Sequence, residues 1–239
     1  MTAQGILYGV GVGPGDPKLM TIRAGEVIRA ADVLAYLVNG SGTSRARSIA
    51  AALIPKGAHE LPLHVPMREE REPARAAYDI AATSISNHLG AGRSVAYLCV
   101  GDPLFYGSFM YLAARLSGAH KIEVVPGVTS LSACAARTLV PLGGRTDVLS
   151  VVPATLGEDA LKSALADADA ASIIKVGRHF AKVRGVLRAL GLESRATLLE
   201  SVTGKEERIS AVEDLAENGA GEEGAPYFST ILVRRRELS

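Results

Sequence analysis

The residues best suited to do chemistry lie in residues 101–107, a turn that carries the carboxylate of Asp102. This turn follows residues 94–100, whose β-branched and aromatic residues predict a buried strand. Pro103 fixes φ and removes a donor, while the glycines at both ends let the main chain approach another molecule. Apolar residues return at helical spacing over 109–116. The pattern predicts a ligand site, because open α/β sheets bind ligands at the carboxyl ends of their strands.

A second turn, GPGDP at residues 13–17, follows the predicted strand at residues 6–12. The dinucleotide-binding pattern GxGxxG is absent, because its third glycine is replaced by Pro14 when counted from Gly9 and by Asp16 when counted from Gly11. The phosphate-loop sequence Gly-Lys-Ser/Thr occurs nowhere in the chain. The turn therefore predicts close approach to a ligand without a phosphate cradle, or an ordinary glycine-rich connection.

A third turn, residues 126–130, follows the predicted strand at residues 121–125. Its hydroxyl residues, Thr129 and Ser130, open the next predicted helix. They can cap that helix or donate hydrogen bonds to a ligand, and both alternatives stay open.

Composition limits the class of protein. The chain has 239 residues, of which 48% are hydrophobic and 21% charged, as in folded globular proteins. The net charge of +1 gives no long-range attraction to nucleic acid or to a membrane surface. Cys99 and Cys134 lie in apolar runs typical of buried thiols, and no metal-ligand spacing is present, so we expect no bound metal. Without a leader pattern or a long apolar run, we expect a soluble, cytoplasmic protein.

The order of predicted elements indicates an α/β fold in two parts. Strands and helices alternate to residue 139, and the sequence PLGG at residues 141–144 predicts a linker. Beyond it, predicted strands at 148–152, 171–176 and 196–200 alternate with helices, and further strands follow at 206–210 and 227–233, with a hairpin near Gly204. We therefore predict two α/β domains, residues 1–143 and 144–239.

The three turns together resemble the tetrapyrrole methylase family. GVGPGDP at residues 11–17, GDP at 101–103 followed by Tyr106, and VPGVTS at 125–130 occur in the family's order and span most of the chain. Family members are S-adenosylmethionine-dependent methyltransferases of cobalamin and sirohaem synthesis, and they include diphthine synthase. The resemblance implies two α/β domains with the methyl donor in the cleft between them, in a homodimer. Residues 101–112 and 226–233 resemble the branch that methylates C(20) of precorrin-2 or of its cobalt-bearing counterpart.

The resemblance also assigns residues to S-adenosylmethionine. Asp102 and the backbone from Gly101 to Tyr106, which includes Phe105, would hold its amino-acid and ribose parts. Pro14 would lie against the donor, and Thr129 and Ser130 would contact it from the following turn. Backbone positions of the second domain would contact its adenine, at Val176, Val202 and Ser229.

A polycarboxylated tetrapyrrole needs cationic partners. The arginines that we assign to it are Arg23, Arg45, Arg47, Arg68 and Arg71. The last two lie in a mixed-charge run between prolines, which is either a flap over a polyanionic ligand or a solvated surface.

The catalytic residues stay unassigned. A base must remove a proton from the methylated carbon, but the five histidines are scattered and Tyr106 qualifies by position only. Three alternatives to methylation at C(20) remain open. The chain could methylate another ring position or a protein side chain, or it could sense a nucleoside without catalysis. A dehydrogenase is contradicted by the absent GxGxxG spacing.

Overall fold

The computed structural model describes residues 5–65, 71–216 and 224–235. The chain forms two compact units, Met1–Thr129 and Ser130–Ser239, and each contains one five-stranded sheet. Two mixed helix and sheet units confirm the predicted fold class. No helix in the described ranges is long and apolar enough to cross a membrane.

The first unit alternates strands and helices throughout. Its elements are β1 (Ile6–Gly11), α1 (Ile22–Ala30), β2 (Val33–Val38), α2 (Arg45–Ala50), β3 (His59–His64), α3 (Arg71–Gly90), β4 (Val95–Cys99), α4 (Phe109–Leu116) and β5 (Lys121–Val125). The sheet has the order β3-β2-β4-β1-β5, and every pair of neighbouring strands is parallel.

Helices cover both faces of this sheet. Neighbouring residues of β4 point to opposite faces. Leu98 packs with residues of α1 and α2, whereas Tyr97 packs with residues of α3 and α4. The connection from β1 leads through α1 toward β2, and the connection from β4 leads through α4 in the opposite direction to β5. The neighbouring carboxyl ends of β1 and β4 therefore form a topological switch point, where open α/β sheets bind ligands.

The second unit has a mixed sheet. Its elements are α5 (Ser130–Thr138), β6 (Leu149–Pro153), α6 (Glu158–Ala166), β7 (Ala170–Ile174), α7 (Phe180–Ala189), β8 (Ala196–Glu200), β9 (Arg208–Ala211) and β10 (Ser229–Arg234). In the order β6-β7-β10-β8-β9, β10 is antiparallel to both of its neighbours. The β8–β9 pair is the antiparallel hairpin expected near Gly204.

The two compact units divide after Thr129, whereas the sequence predicts a boundary after residue 143. The predicted linker is tied into the second unit by Arg234 on β10. This guanidinium donates to the carbonyl of Pro141 at 3.2 Å and to Oδ2 of Asp147 at 2.6 Å. Asp147 also accepts from the amide of Gly144 at 2.9 Å. The Pro and Gly residues follow the end of α5 at Thr138, and the domain boundary after residue 143 stays a prediction.

Candidate functional site

The turns that follow β1 and β4 are joined by main-chain hydrogen bonds. The amide of Gly101 donates to the carbonyl of Gly13 at 2.8 Å, and Gly13 donates back at 3.4 Å, which forms an isolated antiparallel bridge. The amide of Val12 donates to the carbonyl of Cys99 at 2.8 Å. The two turns at the switch point are therefore one rigid structure and not two independent loops.

Three glycines bring the turns of β1, β4 and β5 into contact, and we call Gly11, Gly101 and Gly127 the glycine junction. A methyl group on Gly11 would lie 2.6 Å from the carbonyl oxygen of Gly101 and 2.6 Å from Cα of Gly127. A methyl group on Gly127 would overlap the Gly101 oxygen. The sequence drew attention to Gly101, but the contact depends on strand order, which a local pattern does not reveal.

Gly101 also leaves open space beside its main chain. Its φ is +70°, and a methyl group there would meet nothing closer than Cα of Thr129, at 4.0 Å. A ligand can therefore approach this part of the backbone. The structure thus brings Pro14, Gly101 and Thr129, three predicted donor contacts, to neighbouring turns of one sheet edge.

Asp102 connects two of these turns through its carboxylate. Its Oδ1 accepts from the amides of Leu104 at 2.9 Å and Phe105 at 3.1 Å, which closes its own turn. Its Oδ2 accepts from the amide of Gly127 at 3.0 Å. Both carboxylate oxygens therefore bind main chain, and the direct contact with a donor that the resemblance implies stays a prediction.

Near the end of the Asp102 turn, Tyr106 has a strained backbone and an exposed aromatic ring. Tyr106 has a left-handed φ of 55° and is 41% exposed, and its ring lies edge-on to Phe105 with 5.3 Å between centroids. Backbone strain of this kind is concentrated at binding sites. Beneath the turn, the hydroxyl of buried Tyr97 lies 2.8 Å from Oγ of Ser108, and burial raises the pKa of Tyr97.

The candidate arginines that the structure describes have different partners. Arg45 lies at the β1 turn, where its Nη2 donates to the carbonyl of Pro14 at 3.5 Å. Arg47 instead makes a two-pronged ion pair with Glu60, at 2.8 and 3.0 Å, which lowers the pKa of that carboxyl. Arg23 is exposed and pairs with Glu26 on the same helix. Arg68 and the side chain of Arg71 lie outside the described residues.

In the second unit, the predicted adenine contacts come together at one sheet edge. The amino end of β10 lies beside the carboxyl ends of β7 and β8, because β10 is antiparallel to both. The amide of Val176 donates to the carbonyl of Ser229 at 3.4 Å, and Val202 follows β8 by two residues. Three non-glycine residues here have left-handed backbones: Lys175 (φ 57°), Ser201 (φ 47°) and Thr203 (φ 60°). Ser130 opens α5 of the same unit.

Glu200 is a buried residue at this edge that the sequence analysis did not select. It is the last residue of β8, it pairs in register with Ser229, and only 3% of its surface is exposed. Burial raises the pKa of its carboxyl. A glutamate that ends an apolar run is typical of a surface position, so the sequence carries no local signal for the burial of Glu200.

Other groups of the described chain add no chemistry to this site. Cys99 and Cys134 are buried free thiols, as the sequence predicts, and burial raises the pKa of Cys134 to about 12. Among the residues that the structure describes, no three His, Cys, Asp or Glu side chains are grouped to hold a metal. That this protein binds no metal stays a prediction.

The similarity of this chain to known proteins extends over nearly its whole length. The family model of the Tetrapyrrole (Corrin/Porphyrin) Methylases matches residues 6–217. A precorrin-2 C(20)-methyltransferase from a Sinorhizobium species is 40% identical over 237 residues, which cover 96% of this chain and 95% of that protein. A cobalt-precorrin-2 C(20)-methyltransferase from Salmonella typhimurium is 30% identical over 239 residues, which cover 98% of both.

A solved structure supports the fold. Uroporphyrin-III C-methyltransferase from Thermus thermophilus, in complex with S-adenosylhomocysteine, matches 96% of this chain and 92% of its own, with a TM-score of 0.69 and 23% identity. The sequence motifs, the two α/β units and these similarities agree. The chain belongs to the tetrapyrrole (corrin/porphyrin) methylase family.

Proposed function

We propose that this chain methylates C(20) of precorrin-2 with S-adenosylmethionine, a step of cobalamin biosynthesis. The observation that carries the proposal is the 40% identity to a precorrin-2 C(20)-methyltransferase over nearly the full length of both proteins. The turns and sheet edges described above are built to bind and orient a ligand, as this reaction requires.

The donor supplies an activated methyl group on a sulfonium, and the chain has to bind and orient it. We assign its amino-acid and ribose parts to the turn at residues 101–106, where the open space beside Gly101 leaves the main chain accessible. Its adenine lies at the edge formed by Val176, Val202 and Ser229. Holding two reactants as near-attack neighbours can lower a barrier by roughly 7–11 kcal/mol. Rigid turns therefore serve this reaction better than a catalytic dyad would.

The tetrapyrrole brings several carboxylates and an apolar ring. Arg45 contacts one of the donor turns through the carbonyl of Pro14, and its planar guanidinium suits a carboxylate partner. Leu104 and Tyr106, which are 54% and 41% exposed, offer apolar surface on the neighbouring turn. We assign a substrate carboxylate to Arg45 and the ring edge to this apolar surface. Arg23, Arg68 and Arg71 stay in the proposal as further carboxylate partners.

The decisive experiment is product analysis. The protein is incubated with a ¹³C-methyl-labelled donor and with either precorrin-2 or its cobalt-bearing counterpart. We expect one added methyl by mass spectrometry and its location on the C(20) meso carbon by NMR. The Salmonella relative named for cobalt-precorrin-2 favours the cobalt-bearing substrate as a second candidate. Methylation at another position, or of a protein side chain, would contradict the proposal.

We further propose that the enzyme works as a homodimer in the cytoplasm, as its family resemblance implies. Light scattering after size exclusion should give twice the mass of the chain. A monomer at micromolar concentration would refute the dimer without affecting the proposed reaction.

A further inference from the structure

The segment that carries Val202 has an unusual backbone. It follows β8 directly, and the residues on either side of Val202, Ser201 and Thr203, have left-handed φ angles of 47° and 60°. Such conformations cost free energy for a residue that carries a side chain, and they persist only where the surrounding structure fixes them. Contacts from outside must therefore hold residues 201–204 in place.

Main-chain hydrogen bonds fix the first residue of this segment. The amide of Ser201 donates to the carbonyl of Phe228, just before β10, at 2.9 Å. The carbonyl of Ser201 accepts from the amide of Gly204 at 2.8 Å. Neither of these bonds involves Thr203, the second residue with a left-handed backbone, which is held by a side chain instead.

The carboxylate of Glu207 is that side chain. Its Oε2 accepts from the amide of Thr203 at 2.6 Å. Arg137 on α5 binds the same carboxylate, because its Nε donates to the two oxygens at 2.9 and 3.0 Å and its Nη2 donates to Oε1 at 2.5 Å. The hydrogen bonds from Arg137 outweigh the effect of burial and lower the pKa of the Glu207 carboxyl. At neutral pH an ionised carboxylate therefore joins α5 to residues 201–204.

The first unit uses a carboxylate in the same way. Asp102 accepts from main-chain amides and so closes the turn to which we assign the other part of the donor. The side chain of Arg137 is 53% exposed, and an ion pair in such a position contributes little to stability by itself. A segment that is fixed before the ligand arrives does, however, lower the entropic cost of binding. The Arg137–Glu207 pair is better explained by this second effect.

We propose that Glu207, held by Arg137, is a positioning residue for the methyl donor. It fixes residues 201–203 so that the main chain at Val202 already has the conformation that contacts the adenine. The inference rests on the proposed function for the place of the adenine. It extends that function, because it names two side chains that raise the affinity for the adenosine part of the donor through the main chain.

The test measures the Kd of S-adenosylhomocysteine and of adenosine by calorimetry. In Glu207→Gln, the new NH₂ group would face the amide of Thr203 or the guanidinium of Arg137, and neither of these can accept a hydrogen bond. We expect the Kd of both ligands to rise about 10-fold or more, because binding then has to order residues 201–203. The KM for the tetrapyrrole should change by less than about twofold, since the substrate is assigned to the first unit.

Arg137→Gln is a second variant that leaves Glu207 in place. Its side chain is half-exposed, so the fold tolerates the change. The Kd of S-adenosylhomocysteine should rise about threefold, because the carboxylate keeps its bond to Thr203 but loses its partner on α5. Arg137→Gln should cause no further loss of affinity when it is added to Glu207→Gln, since Arg137 acts only through Glu207.

Glu193→Gln is the matched control. Glu193 lies just before the other end of β8 and accepts from Arg184 at 2.5 Å and from Arg188 at 2.9 Å. Its replacement should lower the midpoint of urea unfolding and leave both Kd values unchanged. Hydrogen exchange of the ligand-free proteins gives an independent measurement. Exchange at residues 201–204 should be faster in Glu207→Gln than in Glu193→Gln, because only the first change releases this segment.

The outcomes separate this inference from the proposed function. If the wild type binds S-adenosylhomocysteine and Glu207→Gln binds both ligands equally well, the role of Glu207 is overturned and the proposed donor stands. Equal weakening of binding in Glu207→Gln and Glu193→Gln would assign the effect to overall stability and overturn the role as well. If the wild type binds neither ligand, the proposed donor fails, and the inference fails with it.

Discussion

At the scale of single residues, Asp102 is a positioning residue whose substitution should weaken donor binding. In the Asp102→Asn variant, the remaining side-chain oxygen would still accept from the amides of Leu104 and Phe105, but the new NH₂ group would face the amide of Gly127, which cannot accept. Loss of a hydrogen bond to a charged group costs about 1.5–3 kcal/mol. This cost falls on stability, and it also frees the turn at residues 101–107 from Gly127, so that the turn no longer presents its main chain in one arrangement. We therefore expect calorimetry to show an increase of about 10-fold or more in the Kd of S-adenosylhomocysteine.

Asp32→Asn provides the control for this substitution. Asp32 accepts from the amide and the hydroxyl of Ser94, both at 2.7 Å, at the opposite end of the same sheet. It should lose stability in urea without a change in the Kd of the donor analogue. Equal weakening of binding by both variants would mean that Asp102 acts through overall stability alone.

Arg45 and Arg47 allow a second test at this scale, because they lie on one helix and differ in their partners. Arg45→Gln should raise the KM for the tetrapyrrole about 10-fold or more, since it removes a charged partner for a carboxylate. The Kd of S-adenosylhomocysteine should change by less than about twofold. Steady-state kinetics with varied tetrapyrrole measures the first value.

The matched variant Arg47→Gln should behave differently. It breaks the ion pair with Glu60, whose carboxylate also accepts from the hydroxyl of Tyr36 at 2.6 Å. Its expected effect is a lower midpoint of urea unfolding with the wild-type KM. A raised KM in Arg47→Gln alone would reassign the substrate contact to that arginine.

At the scale of elements, an ion pair fixes the start of β8 to α7. Arg184 on α7 is 6% exposed and donates to Glu193 and to the carbonyl oxygens of Leu215, at 2.5 Å, and Ala216, at 2.7 Å. Hydrogen bonds from Arg188 and Arg184 lower the pKa of Glu193 to about 2. These contacts hold α7, β8 and the segment after β9 in one arrangement.

This lowered pKa predicts a pH-dependent contribution to stability. A carboxyl whose pKa is lower in the folded state stabilises the protein above its unfolded pKa, which is about 4.3 for glutamate. That contribution is lost as the pH falls from there toward 2. Urea unfolding of wild type and Glu193→Gln should therefore give free energies that converge between about pH 4.3 and 2. A difference that stays constant over this interval would rule out the ion pair as its source.

The elements also show what a sequence can predict. The strands that end at Gly11, Cys99 and Val125 were found because their apolar patterns and following glycines are local signals. The insertion of β10 between β7 and β8 was not predicted, because strand order depends on contacts between residues distant in sequence. The same reason hid the bond from Asp102 to Gly127, which lies 25 residues away. Glu200 was missed because burial at a strand end has no local pattern.

At the scale of the whole molecule, each unit places main-chain turns and unusual backbone conformations at one edge of its sheet. In the first unit these are the glycine junction and Tyr106, and in the second they are Lys175, Ser201 and Thr203. The resemblance to the tetrapyrrole methylases implies that one donor uses both edges, through its amino-acid part and its adenine. This division of the ligand is a prediction about the complete chain, and fragments of the ligand can test it.

Hydrogen exchange measured by mass spectrometry should show the division directly. S-adenosylhomocysteine should slow exchange at residues 101–107 and 126–129 of the first unit and at residues 175–177 and 201–203 of the second, because bound ligand suppresses local opening. Adenosine alone should protect the second set and methionine alone the first, each at concentrations above its own weaker Kd. Peptides of α6, which carries no assigned contact, serve as the internal reference. Protection of a single unit by the complete ligand would refute a donor shared between the two.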